Sequence, residues 1–175
     1  MKTQNIERYL NSFGKYIVQQ SRTNLTKGKK NANKSLYNSI NFKVTTDANG
    51  FSVQFYMNSY GTFVDKGVSG NEEKQSYKDY TGKSSSSPYS YKSKQPPSGI
   101  IEKWIKKRGI KGRDEKGRFI KHKSLAFLIA RSIKAKGIKS TSFFQRPLQL
   151  GLKRFSKDLL RAVKEDIIEG LTTVK

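Results

Sequence analysis

Apolar residues near the start of the chain recur three and four positions apart. Ile6, Tyr9, Leu10, Phe13, Tyr16 and Ile17 form one stripe, which predicts an amphipathic helix from about Thr3 to Asn24. Gly14 weakens that helix without abolishing it. Residues 26–34 show no periodicity and read as a mobile basic loop. From Leu36 the period drops to two: Leu36, Ile40, Phe42 and Val44 alternate with polar positions. After Asp47-Ala48-Asn49-Gly50, residues Phe51, Val53, Phe55 and Met57 alternate again. The pattern predicts a hairpin of residues 36–45 and 51–58, with the apolar side chains of both strands on one face against the terminal helices. Tyr60 to Lys66 reads as a helical turn stopped by a left-handed Gly67. Ser98 is placed to cap a helix with Ile100, Ile101, Trp104 and Ile105 inward, ended by Gly109. Leu125, Leu128, Ile129 and Ile133 mark another helix, stopped by Gly137. Leu148, Leu152, Phe155, Leu159, Val163 and Ile167 predict a long helix from Gln145 to Glu169, bounded by Gly170. The expected fold is α+β: an N-terminal helix, an antiparallel hairpin, two short helices and a long C-terminal helix packed on the sheet.

Length alone favours a single domain over residues 1–175. Two segments interrupt the apolar pattern. Residues 68–98 carry no apolar run, a Ser84-Ser85-Ser86-Ser87 tract and Pro96-Pro97, and read as a long extended loop. Its Tyr77, Tyr80, Tyr89 and Tyr91 offer contact area with a polar tip, which suits an inter-subunit or partner contact. A solvent-exposed disordered loop is the plain alternative. Residues 99–123 form a basic helix-loop insertion, with Lys103, Lys106, Lys107, Arg108, Lys111, Arg113, Lys116, Arg118 and Lys121 able to share one surface.

Charge enlarges that second feature. The chain has 36 Lys and Arg against 13 Asp and Glu, a net charge of +23 that favours polyanionic neighbours. Sixteen of the basic residues and only three acids lie between Lys92 and Lys139. That surface meets either DNA or acidic protein, and protein docking is slightly favoured because a channel clamping DNA with many lysines would hinder its passage. Trp104 is in register with its helix's apolar stripe and reads as core, which argues against a base-stacking platform.

Enzyme chemistry finds little to work with. There is no Cys and a single His, His122, so thiolate and His-based metal sites are excluded. Asp158, Glu165, Asp166 and Glu169 are spaced as a solvated face of the last helix. Gly112 to Gly117 lacks the following Lys-Ser/Thr of a phosphate-binding loop, and the helices near 99–108 and 124–136 are too far apart for a helix-turn-helix. No catalytic residue, cofactor or metal is expected. No apolar run is long enough to cross a membrane, and the N-terminus lacks a secretory pattern, so a soluble protein made in a cytoplasm is the expectation.

Three segments, in order, resemble a known family. Lys34-Ser35-Leu36-Tyr37-Asn38-Ser39-Ile40 is similar to its opening into the first strand. Tyr60-Gly61-Thr62-Phe63-Val64-Asp65-Lys66-Gly67 is similar to its aromatic, small, aliphatic, acidic, Gly segment after the hairpin. Ser142-Phe143-Phe144-Gln145-Arg146-Pro147-Leu148 is similar to its Phe-x-x-Pro-aliphatic lead-in to the last helix. The family is the neck and tail-completion ring proteins of tailed bacteriophages. The resemblance implies a non-enzymatic virion component, assembled in the bacterial cytoplasm as a ring of six or twelve copies that connects the portal to the tail. Implied partners are the portal or neighbouring neck and tail rings, with DNA in the channel as a further possibility. The region between the second and third segments is longer than in compact members of the family. A basic nucleic-acid-binding protein outside the virion is the alternative function.

Overall fold

The computed structural model describes residues 3–30, 34–47 and 50–172. In chain order its elements are α1 (Gln4–Lys27), α2 (Ser35–Ser39), β1 (Asn41–Asp47), β2 (Gly50–Tyr56), α3 (Gly61–Lys66), β3 (Val68–Ser69), β4 (Ser76–Lys78), β5 (Ser84–Ser86), α4 (Ser98–Arg108), α5 (His122–Lys136), β6 (Gly137–Ile138) and α6 (Gln145–Thr172). The expected α+β class and element order hold. The chain forms two compact units where its length suggested one domain. Met1–Gly61, Asp79–Lys83 and Phe143–Lys175 make the first; Thr62–Lys78 and Ser84–Ser142 make the second. Each has its own apolar cluster, which is the physical reason for the division.

In the first unit, α1 buries Ile6, Leu10, Phe13 and Ile17 as its stripe predicts, and Tyr16 stays half-exposed. Ile6 and Leu10 pack with Ala162, and Val44, Val53, Phe155, Leu159 and Val163 surround them. An aromatic chain runs through this core: Phe13 meets Phe155 at 4.9 Å and Phe55 at 6.5 Å, and Phe55 meets Phe144 at 5.4 Å. Such pairs add about 0.5–1.5 kcal/mol each beyond area burial. Gly14 acts as a socket, since a Cβ there would lie 2.2 Å from the Phe42 ring. Gly151 serves the same end between helices, where a Cβ would sit 2.9 Å from Ile17 and Phe13.

The hairpin register pairs Phe42 with Phe55, Val44 with Val53 and Asp47 with Gly50. Phe42, Val44, Val53 and Phe55 share a face as expected, whereas Phe51, expected with them, is 39% exposed. The turn residues Ala48 and Asn49 lie outside the described residues, as do residues 31–33 of the expected basic loop. The first strand begins at Asn41, not Leu36, because residues 35–39 form the helical turn α2. Ser39 Oγ donates to the Leu36 carbonyl and accepts from the Asn58 N–H. Arg22 donates to the carbonyls of Tyr37 and Ile40 and stacks 5.2 Å from the Tyr37 ring. These local bonds satisfy groups that a longer strand would have paired across the sheet. Helix α6 also departs from expectation, running through Gly170 to Thr172 with Leu152 and Ile167 partly exposed.

Asp166 corrects the reading of the last acidic group. It is fully buried rather than solvated. Its Oδ1 accepts from the backbone N–H and side chain of Asn5, and its Oδ2 from the Ile6 N–H, all at 3.0 Å. The carboxylate therefore satisfies donors in the first turn of α1 and complements that helix's dipole. Burial pushes its pKa up, but the bonds from Asn5 and Ile6 and the nearby Arg8 outweigh this and hold it below the usual carboxylate range.

In the second unit, short pieces are joined by backbone and hydroxyl bonds. Gly67 ends α3 at φ 75°, as expected. Strands β3 and β6 pair Val68 with Ile138 and Ser69 with Gly137. Their approach needs glycine: a Cβ on Gly70 would lie 1.9 Å from the Ala135 carbonyl oxygen, and one on Gly137 2.1 Å from that of Val68. Residues 68–98 are not one extended loop. They hold the β4–β5 hairpin, and its turn, residues 79–83 of the first unit, is closed by Asp79 Oδ1 accepting from Thr81 and Lys83. Those bonds, the Thr81 hydroxyl's first, keep the Asp79 carboxyl below its ordinary value. The Ser69 N–H donates to Tyr89 and the Tyr91 N–H returns to Ser69, so the segment is tied down without an apolar set.

Helices α4 and α5 close over Ile101, Ile105, Ala126 and Ala130. Two alanines leave room for only one ridge of α4. Ile100 is therefore 67% exposed and Trp104 42% exposed, against the expectation of a buried Trp. Leu128 is likewise outside. Ser98 makes no side-chain cap, and Pro97 precedes the helix in its place.

Candidate interaction site

The tyrosines of residues 68–98 are mostly structural. Tyr89 packs its ring on Phe63 at 4.4 Å, and Lys66 Nζ lies 5.6 Å from the Tyr77 ring. Tyr91 is partly buried, which raises its pKa. Tyr80, in the turn after β4, is 50% exposed and is the one of the four that offers most of its ring outward.

The basic residues do gather in the second unit. Lys103, Lys106, Lys107 and Arg108 lie on α4, and Lys111, Arg113, Lys116, Arg118 and Lys121 on the turn leading to α5; all nine are exposed. Lys106 bonds Glu102 at 2.8 Å, and Arg118 bonds Asp114 at 3.0 Å. The Lys106 bond lowers the Glu102 pKa, and the charges of His122 and Lys123 add to it. Lys111, Lys116 and Lys121 make no ion pair among the described residues.

The turn is stiffer than its composition suggests. Arg113 and Phe119 form a β-bridge. Asp114 Oδ1 accepts from the N–H groups of Lys116 and Arg118, and the Asp114 N–H donates to the Arg118 carbonyl. Gly117, at φ 78°, supplies the left-handed position that this tight loop needs. Arg113 Nη1 donates to the Gly117 carbonyl at 2.9 Å, and its guanidinium sits 4.3 Å from the Phe119 ring centroid. Lys111 Nζ lies 5.8 Å from the same centroid. Phe119 remains 62% exposed. Beside it is a hollow of about 300 Å³ lined by Lys111, Phe119, Ile120, Lys121 and His122. Sequence reasoning counted Phe119 only as one of two sparse aromatics among the cations and did not place it in the site; the signal available was its position directly after Arg118, with a Gly turn before it.

The segments that carry the family resemblance also meet. A Cβ on Gly61 would lie 2.9 Å from Leu36 Cδ1, which places the first segment against the start of the second. Further along, the Ser142 N–H donates to the Asp65 carbonyl, and Thr141, just ahead of the third segment, donates its N–H and hydroxyl to the Val64 carbonyl. Among the described residues no three His, Cys, Asp or Glu cluster as metal ligands, and no helix is long and apolar enough to cross a membrane. Comparison with protein-family models, curated protein sequences and solved structures returns no match to this chain.

Proposed function

We propose that this chain is a non-enzymatic structural component of a tailed-bacteriophage virion, forming a ring of six or twelve copies in the neck or tail between portal and tail. The observation that carries this reading is the meeting of the three resemblance segments. Leu36 lies against Gly61, and the Ser142 N–H donates to the Asp65 carbonyl across more than 70 residues of chain. Unrelated chance matches have no reason to touch. Apolar surface on α6 adds support, since Leu160, Ile168 and Leu171 are 68%, 49% and 73% exposed and offer a face for a neighbouring copy. Ring symmetry repeats each such contact around the axis, so modest interfaces become strong together. Assembly takes place in the bacterial cytoplasm. The test is native mass measurement of the purified chain, alone and with its particle's portal, together with proteomics of purified virions. Six or twelve copies, and the chain's presence in virions, are expected. A monomer under both conditions, absent from virions, overturns the reading.

A further inference from the structure

We infer that the Arg113–Phe119 turn is a contact site for single-stranded nucleic acid, with a base stacking on Phe119 and phosphates meeting Lys111, Lys116 and Lys121. Three observations converge on it. The Phe119 ring is 62% exposed yet held in place by its bridge to Arg113 and by the Asp114-centred bonds of the turn. A rigid exposed ring offers a flat apolar face without the entropy cost of ordering a mobile loop. Cations flank that face: Arg113 lies 4.3 Å from the ring centroid with its guanidinium donating to the neutral Gly117 carbonyl, and the nearby lysines make no ion pair among the described residues. The hollow beside the ring, about 300 Å³, has the size for one flat ring and has Lys111, Lys121 and His122 in its lining.

An aromatic face among unpaired cations is the arrangement by which proteins hold single strands, because every base has a π-face and every nucleotide a phosphate. Bases inside a duplex are stacked on one another and cannot use the ring. A docking helix or strand of an acidic protein needs a row of apolar anchors, and this hollow accepts one. The sequence reading of Trp104 as core argued against a base-stacking platform; Trp104 is half-exposed and Phe119 offers an exposed ring, so that argument does not hold. The inference stands apart from the ring reading, whose test reads mass and virion content rather than affinity.

Fluorescence anisotropy of the full chain with labelled oligothymidylate and oligouridylate of about 20 nucleotides, and with a duplex of equal length, tests it. Both single strands should bind more tightly than the duplex, with affinity falling steeply between about 50 and 200 mM salt. Phe119→Ala should weaken binding about tenfold with the salt slope unchanged, and Phe119→Trp should retain it. Lys116→Ala and Lys121→Ala should each reduce the slope by about 0.7. Thermal melting of each variant identifies any loss of fold, and the lysine variants keep the test valid if Phe119→Ala melts early. The inference is overturned if no oligonucleotide binds, if folded Phe119→Ala binds as the parent does, if duplex binds as tightly as single strand, or if polyglutamate competes as well as either oligonucleotide.

Discussion

The two units of this protein reach order by different physical means. The first relies on bulk: two helices of 24 and 28 residues, a hairpin, and a core of interlocking phenylalanines. The second has short elements, two alanines at the centre of its helix pair, and strands of two or three residues held by hydroxyl and backbone bonds. A core of large side chains can yield locally when one is trimmed, at a cost set by how far it collapses. A unit built on backbone approach has no such give. The basic, solvent-facing chemistry lies in the second unit, where little apolar area is available and polar turns can be stiffened by a single aspartate.

The contrast can be broken most directly at Gly70. Alanine there should cost about 4 kcal/mol or more, since the added carbon meets backbone that cannot move aside. Trp104 is the chain's only tryptophan and lies in the second unit, so its fluorescence should report early melting while far-UV ellipticity from α1 and α6 persists. Coincident loss of both signals would erase the distinction. In the first unit, Asp166→Ala should cost about 3 kcal/mol, because charged hydrogen bonds to Asn5 and Ile6 are lost together. Its depressed pKa gives a sign: the stabilisation is complete above the unfolded value near ~3.9 and is lost as pH falls through the lower folded value. Urea midpoints measured downward from neutral pH should fall in the parent's acid limb and flatten there in Asp166→Asn. Gly14→Ala should cost about 2 kcal/mol in urea denaturation, less than Gly70→Ala, because the obstructing group is the Phe42 ring, which can shift. Smallest of all, Trp104→Ala should lie within about 1 kcal/mol by thermal denaturation, since the ring is 42% exposed.

Where a periodic pattern was long, it was legible. The α1 stripe and the apolar face shared by Phe42, Val44, Val53 and Phe55 followed from spacing alone. Leu36 and Ile40 misled because a spacing of four fits a strand face and a helical turn alike, and only Arg22 and Ser39 bonds decide between them. Trp104 misled because residues 100, 101, 104 and 105 allow two overlapping faces, and the choice was made by Ala126 and Ala130 on another helix. The cations of the candidate site could be named in advance, but the fixed Phe119 ring depends on the carboxylate geometry of Asp114, which no periodicity encodes. Nor does any local signal join Asp166 to Asn5, 161 positions away.

That last bond has a consequence for synthesis. The first helix leaves the ribosome long before the carboxylate that completes its opening turn has been translated. At about 5–20 residues per second, some 160 residues take roughly 8–30 s. For that interval α1 presents its apolar stripe with neither its cap nor the α6 face that covers it, while the intervening segments emerge and fold. The opening turn of α1 is thus completed only once α6 has been translated, and a message truncated before codon 166 would leave the Asn5 and Ile6 donors without their carboxylate.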